Sequence, residues 1–272
     1  MKFSPLAVAP LPITVRLFEV PVAAVTLDQV LNLVHQSIVS RRHLQIGVVN
    51  AAKLVNMRRN QLLQDDVLSS DIILADGSAV VWVSRLLRQP LPERVAGIDL
   101  MMGMFQRGDR FNYRFFLLGA TEDVSTAVAK RIGTDYPGVR IVGRKNGYFL
   151  ESTEAKVAQE ILDANPDILL IGMSSPKKER FLARWSKHIN VPVCHGVGGS
   201  FDVFAGKLQR APLCWQRLGL EWFYRLKQEP RRLLKRYILT NTLFCWITFK
   251  EMLRQRLNLK GRLAWIMPIR DD

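Results

Sequence analysis

Short apolar runs that alternate with helical patterns set the strongest limit on how this chain can fold. In order along the chain the runs are LQIGVVN, DIILAD, YRFFLLGAT, VRIVGRK, DILLIG and VPVC. Runs of this length fit strands that are buried on both faces, and their alternation with helices is typical of a parallel α/β sheet. We therefore predict a Rossmann-like parallel sheet with flanking helices.

Polar residues end two of these runs, at the edge of the sheet where open α/β proteins bind ligands. Asn50 follows LQIGVV, and Asp76 follows DIILA. Each side chain could instead cap the helix that comes next, and for Asn50 the two roles are compatible. A carboxylate in a cleft can also act as a general base, so the residues alone leave Asp76 with two interpretations.

The segment SSPKKE follows DILLIG and predicts a helix start, with Ser174 or Ser175 as the cap and Pro176 in the first turn. Lys177 and Lys178 then lie at the positive end of the helix dipole, which disfavours cations. A diphosphate or another acid opposite these lysines would explain their position. Two solvated lysines are the alternative.

A glycine-rich turn, HGVGGSFD, follows the last apolar run. Backbone N–H groups at Gly198 and Gly199 could face an anion there, although a plain turn explains the glycines equally well. His195 and Asp202 suggest acid–base chemistry. A metal site is not expected, because the four histidines are scattered and no Asp-x-Asp motif occurs. The GAT turn lacks a P-loop lysine pattern, so nucleotide hydrolysis is not expected either.

Charge divides the chain near Lys207. From residue 206 to residue 272 there are 15 Lys and Arg against 5 Asp and Glu. This segment therefore carries a net charge of +10, out of +15 for the whole chain. We therefore predict an α/β domain over residues 1–206 and a basic, helical C-terminal appendage over residues 207–272. Trp215, Leu218, Trp222 and Leu226 recur at helical spacing within it.

The excess of positive charge predicts an anionic partner. The aromatic residues that accompany the basic ones indicate what kind of partner it is. Four of the six tryptophans lie in the basic appendage, which favours a membrane interface over nucleic acid. The apolar run from Tyr237 to Phe249 is shorter than the ~20 residues that span a bilayer. Prolines make the N-terminus a poor signal peptide, and three cysteines without metal-ligand spacing fit a reducing cytoplasm.

Six blocks stand in a fixed order along the chain. They are VVNAAK (48–53), ADG (75–77), ERVAGIDL (93–100), NGYF (146–149), SSPKKE (174–179) and a closing block with GVGGSFDVFAG, RAP, LGLEWFYRL and EPRR. Together they resemble the WecG/TagA/CpsF family of bacterial glycosyltransferases. The resemblance implies inverting transfer of a hexose or N-acetylhexosamine-type sugar from a UDP-sugar to a polyprenyl-diphosphate-linked saccharide. It places this reaction in polysaccharide biosynthesis at the cytoplasmic face of the membrane.

The resemblance also implies roles for single residues. Asp76 would be the catalytic base, and Arg94 would contact a phosphate or the sugar, where the residues alone allow a weak surface pair with Asp99. The substrate-binding residues that we predict are Asn50, Arg94, Lys178, Gly198, Gly199, Asp202, Arg210, Arg225, Arg232 and Lys235. The chain departs from the family at Val48, Lys178 and Lys235, where threonine, glutamine and arginine are usual.

The expected partners are a UDP-sugar donor, a polyprenyl-diphosphate-linked acceptor and an anionic membrane surface. No nucleic acid, cofactor or metal is expected. A homo-oligomer is possible, and the sequence does not decide it. The residues also fit a protein of another class, a non-catalytic Rossmann-like nucleotide-binding protein whose basic tail meets membrane or nucleic acid. The sequence does not identify the sugar.

Overall fold

The six apolar runs form one parallel sheet, which confirms the predicted α/β fold. A computed structural model describes residues 12–264 of the chain, and side chains as far as residue 257. The predicted poor signal peptide and the end of the predicted appendage lie outside the described residues. In chain order the strands are β1 (Thr14–Leu17), β2 (Val20–Ala23), β3 (Leu44–Val49), β4 (Ile72–Ala75), β5 (Arg114–Gly119), β6 (Arg140–Lys145), β7 (Ile168–Gly172) and β8 (Val193–Gly196).

Helices connect the strands and continue beyond the last one. They are α1 (Leu27–Ser40), α2 (Ala51–Met57), α3 (Gln61–Leu68), α4 (Ser78–Leu86), α5 (Gly97–Phe111), α6 (Glu122–Asp135), α7 (Glu154–Ala164), α8 (Lys177–Trp185), α9 (Ser200–Phe204), α10 (Leu213–Arg217), α11 (Glu221–Gln228) and α12 (Pro230–Ala264). The sheet order is β4-β3-β8-β7-β5-β6, with β1 and β2 as a separate antiparallel hairpin.

Apolar side chains cover both faces of the sheet, because successive residues of a strand point to opposite faces. On one face, residues such as Ile46 and Leu170 pack against α1, α5 and α6. On the other face, Leu118 and Leu169 pack with α7 and α8. The β3 and β4 strands meet the hairpin, α2 and α4 on that second face. The carboxyl ends of the strands are therefore the part of the sheet left open to ligands.

Side chains cap the first three helices, α1, α2 and α3. Thr26 caps α1 through a capping box with Gln29. The predicted cap of α8 is wrong, because Pro176 occupies the cap position and no side chain caps that helix. The N–H of Lys178 donates instead to the backbone carbonyl oxygen of Ser174 at 3.2 Å.

The basic appendage is helical, as predicted, but it is broken into three helices. Gly219, between α10 and α11, has a φ of +69° and lies so close to Trp82 that a methyl group built on it would come within 2.6 Å of the ring. The continuous helical spacing read from the sequence is therefore interrupted at a glycine.

The last helix, α12, packs against α2 through one face. Phe244 is 5% exposed and meets the ring of Phe18 edge-on, with ring centroids 5.7 Å apart. Thr240 and Thr248, on the same face, bond back to the carbonyl oxygens four residues earlier. The proposed domain boundary near Lys207 stays a prediction.

Candidate functional site

Three neighbouring strands, β4, β3 and β8, bring the predicted site residues to one edge of the sheet. The register pairs Val49 with Ala75, so Asn50 and Asp76 follow at the same level. Asp76 N donates to Val49 O at 2.9 Å. Asn50 caps α2 by accepting from Lys53 N at 3.0 Å, which confirms the capping role predicted for it.

Asp76 does not cap the helix that follows it, because Gly77 holds that position. Its Oδ1 accepts instead from the N–H of Gly97 at 2.9 Å. Gly97 is the first residue of α5, where the helix dipole favours a negative charge. Among the described residues, Oδ2 accepts no hydrogen bond. The carboxylate is thus fixed through one oxygen and open through the other.

His195 lies at the carboxyl end of β8 and is fully buried. Its Nδ1 is 3.3 Å from Ile46 O, and its Nε2 has no partner among the described residues. Burial, reinforced by the charge of Lys178, lowers the pKa of His195 to about 4. The ring is therefore neutral at pH 7 and fills space beside Gly97, where a methyl group would lie 3.7 Å from Nε2.

The two lysines at the start of α8 have different surroundings. Lys177 donates to the carbonyl oxygens of Gly147 and Phe149 at 2.9 and 3.1 Å, so it fastens the NGYF loop. Lys178 runs along the glycine turn, and a methyl group built on Gly198 would come within 3.2 Å of its Nζ. Burial, followed by repulsion from Lys53, lowers the pKa of Lys178 to about 8.

The glycine turn offers fewer free N–H groups than its sequence indicates. Gly198 has a φ of +55°, and its N–H donates to Ile171 O at 3.1 Å, so that group does not face an anion. Arg225 and Asp202 both reach the neighbouring glycine. A methyl group on Gly199 would lie 3.8 Å from Arg225 Nη2 and 3.9 Å from Asp202 Oδ2. The turn thus has two cations close to it, Lys178 at Gly198 and Arg225 at Gly199.

A second cluster joins the α/β part of the chain to the appendage. Arg94 Nη1 donates to Glu221 Oε2 at 2.7 Å, while its contact with Asp99 is longer, at 3.7 Å. Arg210 forms an ion pair with the same residue, Asp99, with Nη2 2.7 Å from Oδ1. Both arginines therefore have carboxylate partners, and the pair between Arg94 and Asp99 that the residues allow is the weaker of the contacts.

Two predicted residues are not brought to this edge. Arg232 of α12 pairs with Glu229, which precedes that helix, and the Arg232 side chain is 67% exposed. Lys235 is also exposed on α12. Of the four basic residues of the appendage that were predicted to bind substrate, Arg210 and Arg225 contact the α/β part of the chain, and Arg232 and Lys235 face outwards.

Three charged residues of the site were not predicted. Lys53 and Glu179 form a buried pair, with Nζ 2.6 Å from Oε1, and Glu221 holds Arg94. The available signal was a charged residue inside an otherwise apolar or family-like block, VVNAAK, SSPKKE or LGLEWFYRL. That signal does not reveal which distant partner each residue meets.

The described residues contain neither a cluster of metal ligands nor a helix that could span a membrane. No group of three or more His, Cys, Asp or Glu side chains in that part of the chain could hold a metal ion. By length and hydropathy, no helix in the same part of the chain could cross a bilayer.

Comparison with known proteins identifies the family of this chain. The sequence model of the glycosyl transferase WecG/TagA/CpsF family matches residues 15–258. An N-acetylglucosaminyldiphosphoundecaprenol N-acetyl-beta-D-mannosaminyltransferase of Bacillus subtilis (strain 168) is 41% identical over 168 residues, which are 61% of this chain and 65% of that protein. A protein of the same name from Bacillus spizizenii is 38% identical over 164 residues, 60% of this chain and 63% of that protein.

The matched region spans slightly less than two thirds of the length of these two relatives. The family match is broader and includes the sheet, the glycine turn and most of α12. It also covers Asp76, Lys178 and Arg225. The chain belongs to the WecG/TagA/CpsF family of glycosyl transferases.

Proposed function

We propose that this chain is an inverting glycosyltransferase that moves a hexose or N-acetylhexosamine-type sugar from a UDP-sugar to a polyprenyl-diphosphate-linked saccharide. One observation carries the proposal. The Asp76 carboxylate is fixed through Oδ1 by Gly97 N–H at 2.9 Å and has its other oxygen open, at the edge that also holds the glycine turn. Family membership and the names of the two relatives support it.

Asp76 would act as the general base. Its open oxygen takes the proton of the acceptor hydroxyl as that hydroxyl oxygen attacks the anomeric carbon from the face opposite UDP. The new glycosidic bond forms while the bond from the anomeric carbon to the phosphate oxygen breaks, so the configuration inverts. A base in this position is worth about 10²–10⁴ in rate.

Cations beside the turn would receive the departing diphosphate. Lys178 lies beside Gly198, and Arg225 lies beside Gly199. An arginine can bind two phosphate oxygens at once through its planar guanidinium, whereas a lysine acts as a compact positive charge. Together they would offset the charge that UDP gains as the bond to the sugar breaks. Asp202, near Gly199, would accept hydrogen bonds from hydroxyl groups of the UDP-sugar donor.

Arg94 and Arg210 keep their proposed substrate roles. Because both sit in an ion network that is only partly buried, a substrate phosphate could replace a carboxylate partner at small cost. Arg232 and Lys235 face outwards and would meet the acceptor diphosphate where it leaves the membrane. Asn50 would contact the substrate through its amide nitrogen, since its oxygen is used in the cap.

The outer face of α12 supports an anionic membrane surface as a partner. Trp246 and Phe249 are 53% and 50% exposed and stack with ring centroids 6.2 Å apart, and Ile238 is 61% exposed. Among the side chains of this helix that the structure describes, the exposed basic residues are Arg231, Arg232, Lys235, Arg236, Lys250, Arg254 and Arg256. Such a helix would lie in the plane of the headgroups, each cation contributing on the order of 1 kcal/mol. We place the chain at the cytoplasmic face of the cell membrane, as a peripheral protein.

Sugar transfer is the test. Purified protein is incubated with a panel of isotope-labelled UDP-sugars, UDP-N-acetylmannosamine included, and with N-acetylglucosaminyl-diphosphoundecaprenol. Mass spectrometry should find one labelled disaccharide lipid, formed equally well in EDTA because no metal is proposed. NMR of the released disaccharide should show an inverted linkage. Tight UDP binding without transfer from any donor would favour the non-catalytic nucleotide-binding alternative.

A further inference from the structure

A cluster of three charged side chains lies beneath the glycine turn, and the proposed chemistry leaves two of them without a role. Lys53 on α2 and Glu179 in the first turn of α8 form an ion pair whose side chains are 8% and 7% exposed. The Nζ of Lys178 lies 3.6 Å from the same Glu179 oxygen, Oε1. The other oxygen, Oε2, has no hydrogen-bond partner among the described residues. Two ammonium groups therefore share one carboxylate oxygen.

Stability alone is a poor reason for this arrangement. Removing charges from water costs several kcal/mol per ion, and the attraction within a buried pair often only offsets that cost. Two cations against one anion leave a net positive charge inside the protein. An exposed pair such as Lys145 and Glu160, with Nζ 2.9 Å from Oε2, connects two elements without this cost.

The cluster and the glycine turn limit the positions that the Nζ of Lys178 can take. Its stem crosses Gly196, where a methyl group would lie 3.1 Å from Cδ, and its Nζ reaches Gly198. A cavity of about 20 Å³ lies beside the cluster, and it has room for about one water molecule. The stem therefore has little space to turn away from the glycine turn.

The charges around Lys178 come from several elements. The charged or titratable groups near it or along the adjoining cavity and turn are Lys53 of α2, Asp66 of α3, Asp76 after β4, Glu179 of α8, His195 of β8 and Arg225 of α11. Burial, and then Lys53, lower the pKa of Lys178 to about 8, while Glu179 and Asp76 act in the opposite direction. Burial raises the pKa of Glu179, but Lys53 and Lys178 outweigh it and hold that pKa below its usual value.

We propose that Lys53 and Glu179 are positioning residues that hold the ammonium group of Lys178 over the glycine turn and set the charge that it presents to the donor diphosphate. The diphosphate as ligand rests on the proposed function. The placement of Lys178 by its two neighbours does not. Lys53 and Glu179 touch no substrate in this account and act only through Lys178.

The two neighbours should have opposite effects on Lys178. Lysine is charged below its pKa, so the cation is present at pH 7 and is lost as the pH rises through about 8. Replacing Lys53 by methionine removes a repelling charge and should move the midpoint up, toward the ordinary lysine value of about 10.4. Replacing Glu179 by glutamine removes an attracting charge and should move it down.

The first measurement needs no ligand. Lys178 acetylation by a trace of acetic anhydride is followed against pH by peptide mass spectrometry in the wild type, Lys53→Met and Glu179→Gln, since only the neutral amine reacts. Lys53→Arg keeps the charge and should keep the wild-type midpoint. Lys145→Met, which breaks the exposed pair with Glu160, is the matched control and should also leave it unchanged.

The second measurement is UDP affinity by calorimetry across the same pH range. Wild-type binding should weaken about tenfold as Lys178 loses its charge, the loss expected for one charged hydrogen bond. That weakening should move to higher pH in Lys53→Met and to lower pH in Glu179→Gln. Lys53→Gln and Glu179→Ala, which also remove the charge, replace either variant that does not fold, with the same expected directions.

Each outcome decides a separate point. Midpoints that stay fixed, or that move the same way in both variants, would show that the pair only joins α2 to α8 and would overturn the proposal. Midpoints that move apart without a matching change in UDP binding would overturn the assignment to the diphosphate. A wild type that binds no UDP at any pH would count against the proposed function, while acetylation would still decide the positioning.

Discussion

The sheet edge and the last helix both carry basic residues, but these residues differ in how far they are exposed to solvent. At the sheet edge, Lys178 is nearly buried against the glycine turn, with a side chain 12% exposed. On α12, Arg232 is 67% exposed and pairs only with Glu229, three residues away on the same chain segment. The first kind of cation is held in one place by its surroundings. The second is free to follow a mobile surface such as lipid headgroups.

This difference follows from topology. The carboxyl ends of parallel neighbouring strands meet at one edge, so residues far apart in sequence are forced together there. A helix that packs through one face instead leaves its other residues wherever the helical period places them. Arg225 connects the two regions, because it belongs to the appendage yet reaches Gly199.

The largest expected effect is at the sheet edge, in Asp76→Asn. The amide oxygen can still accept from Gly97 N–H, so the fold and UDP affinity should stay close to wild type. The amide cannot take a proton, and the transfer rate should fall by about 10²–10⁴. Stopped-flow or quenched single-turnover rates, together with UDP calorimetry, measure both quantities. A rate within tenfold of wild type would remove Asp76 from the mechanism.

Arg225→Ala tests the residue that joins the regions. Loss of one charged contact to the diphosphate should weaken UDP binding roughly 10- to 100-fold. Lys227→Ala is the matched control, since Lys227 is an exposed cation on the same helix and should leave affinity unchanged. Equal losses in the two variants would mean that the appendage acts by overall charge and not through the glycine turn.

A smaller effect is expected where the regions are joined by ion pairs. Glu221→Gln removes the 2.7 Å partner of Arg94. Since the pair is partly exposed, about 0.2–1 kcal/mol is involved, and UDP should bind at most about fivefold more tightly as Arg94 is released. Glu229→Gln, which breaks a pair remote from the edge, is the control. Weaker UDP binding in Glu221→Gln would instead assign Glu221 itself to the substrate site.

Sequence patterns predicted the sheet and its open edge because these depend on local features. The apolar runs and their polar ends place Asn50 and Asp76 side by side once the strands are parallel. The pairing of Lys53 with Glu179 has no local signal, since 126 positions separate them. The N–H of Gly198 faces Ile171 for the same reason: only the neighbouring strand determines where it points.

Side chains on the appendage were harder to predict. The sequence shows aromatic and basic residues in quantity, but which of them face inwards depends on how α12 meets α2. Phe244 lies in the core, while Trp246, two residues later, is exposed. The break at Gly219 likewise depends on the distant Trp82 ring.

In the proposed function, the sheet edge carries the chemistry and the outer face of α12 carries the lipid contact. Trp246→Ala/Phe249→Ala tests it directly when transfer is measured with two acceptors, a short-chain lipid diphosphate in solution and the undecaprenyl form in anionic vesicles. Leu62→Ala, another exposed apolar residue, is the control. We expect an unchanged rate on the short acceptor and a loss on vesicles that grows with salt. Equal losses on both acceptors would contradict it.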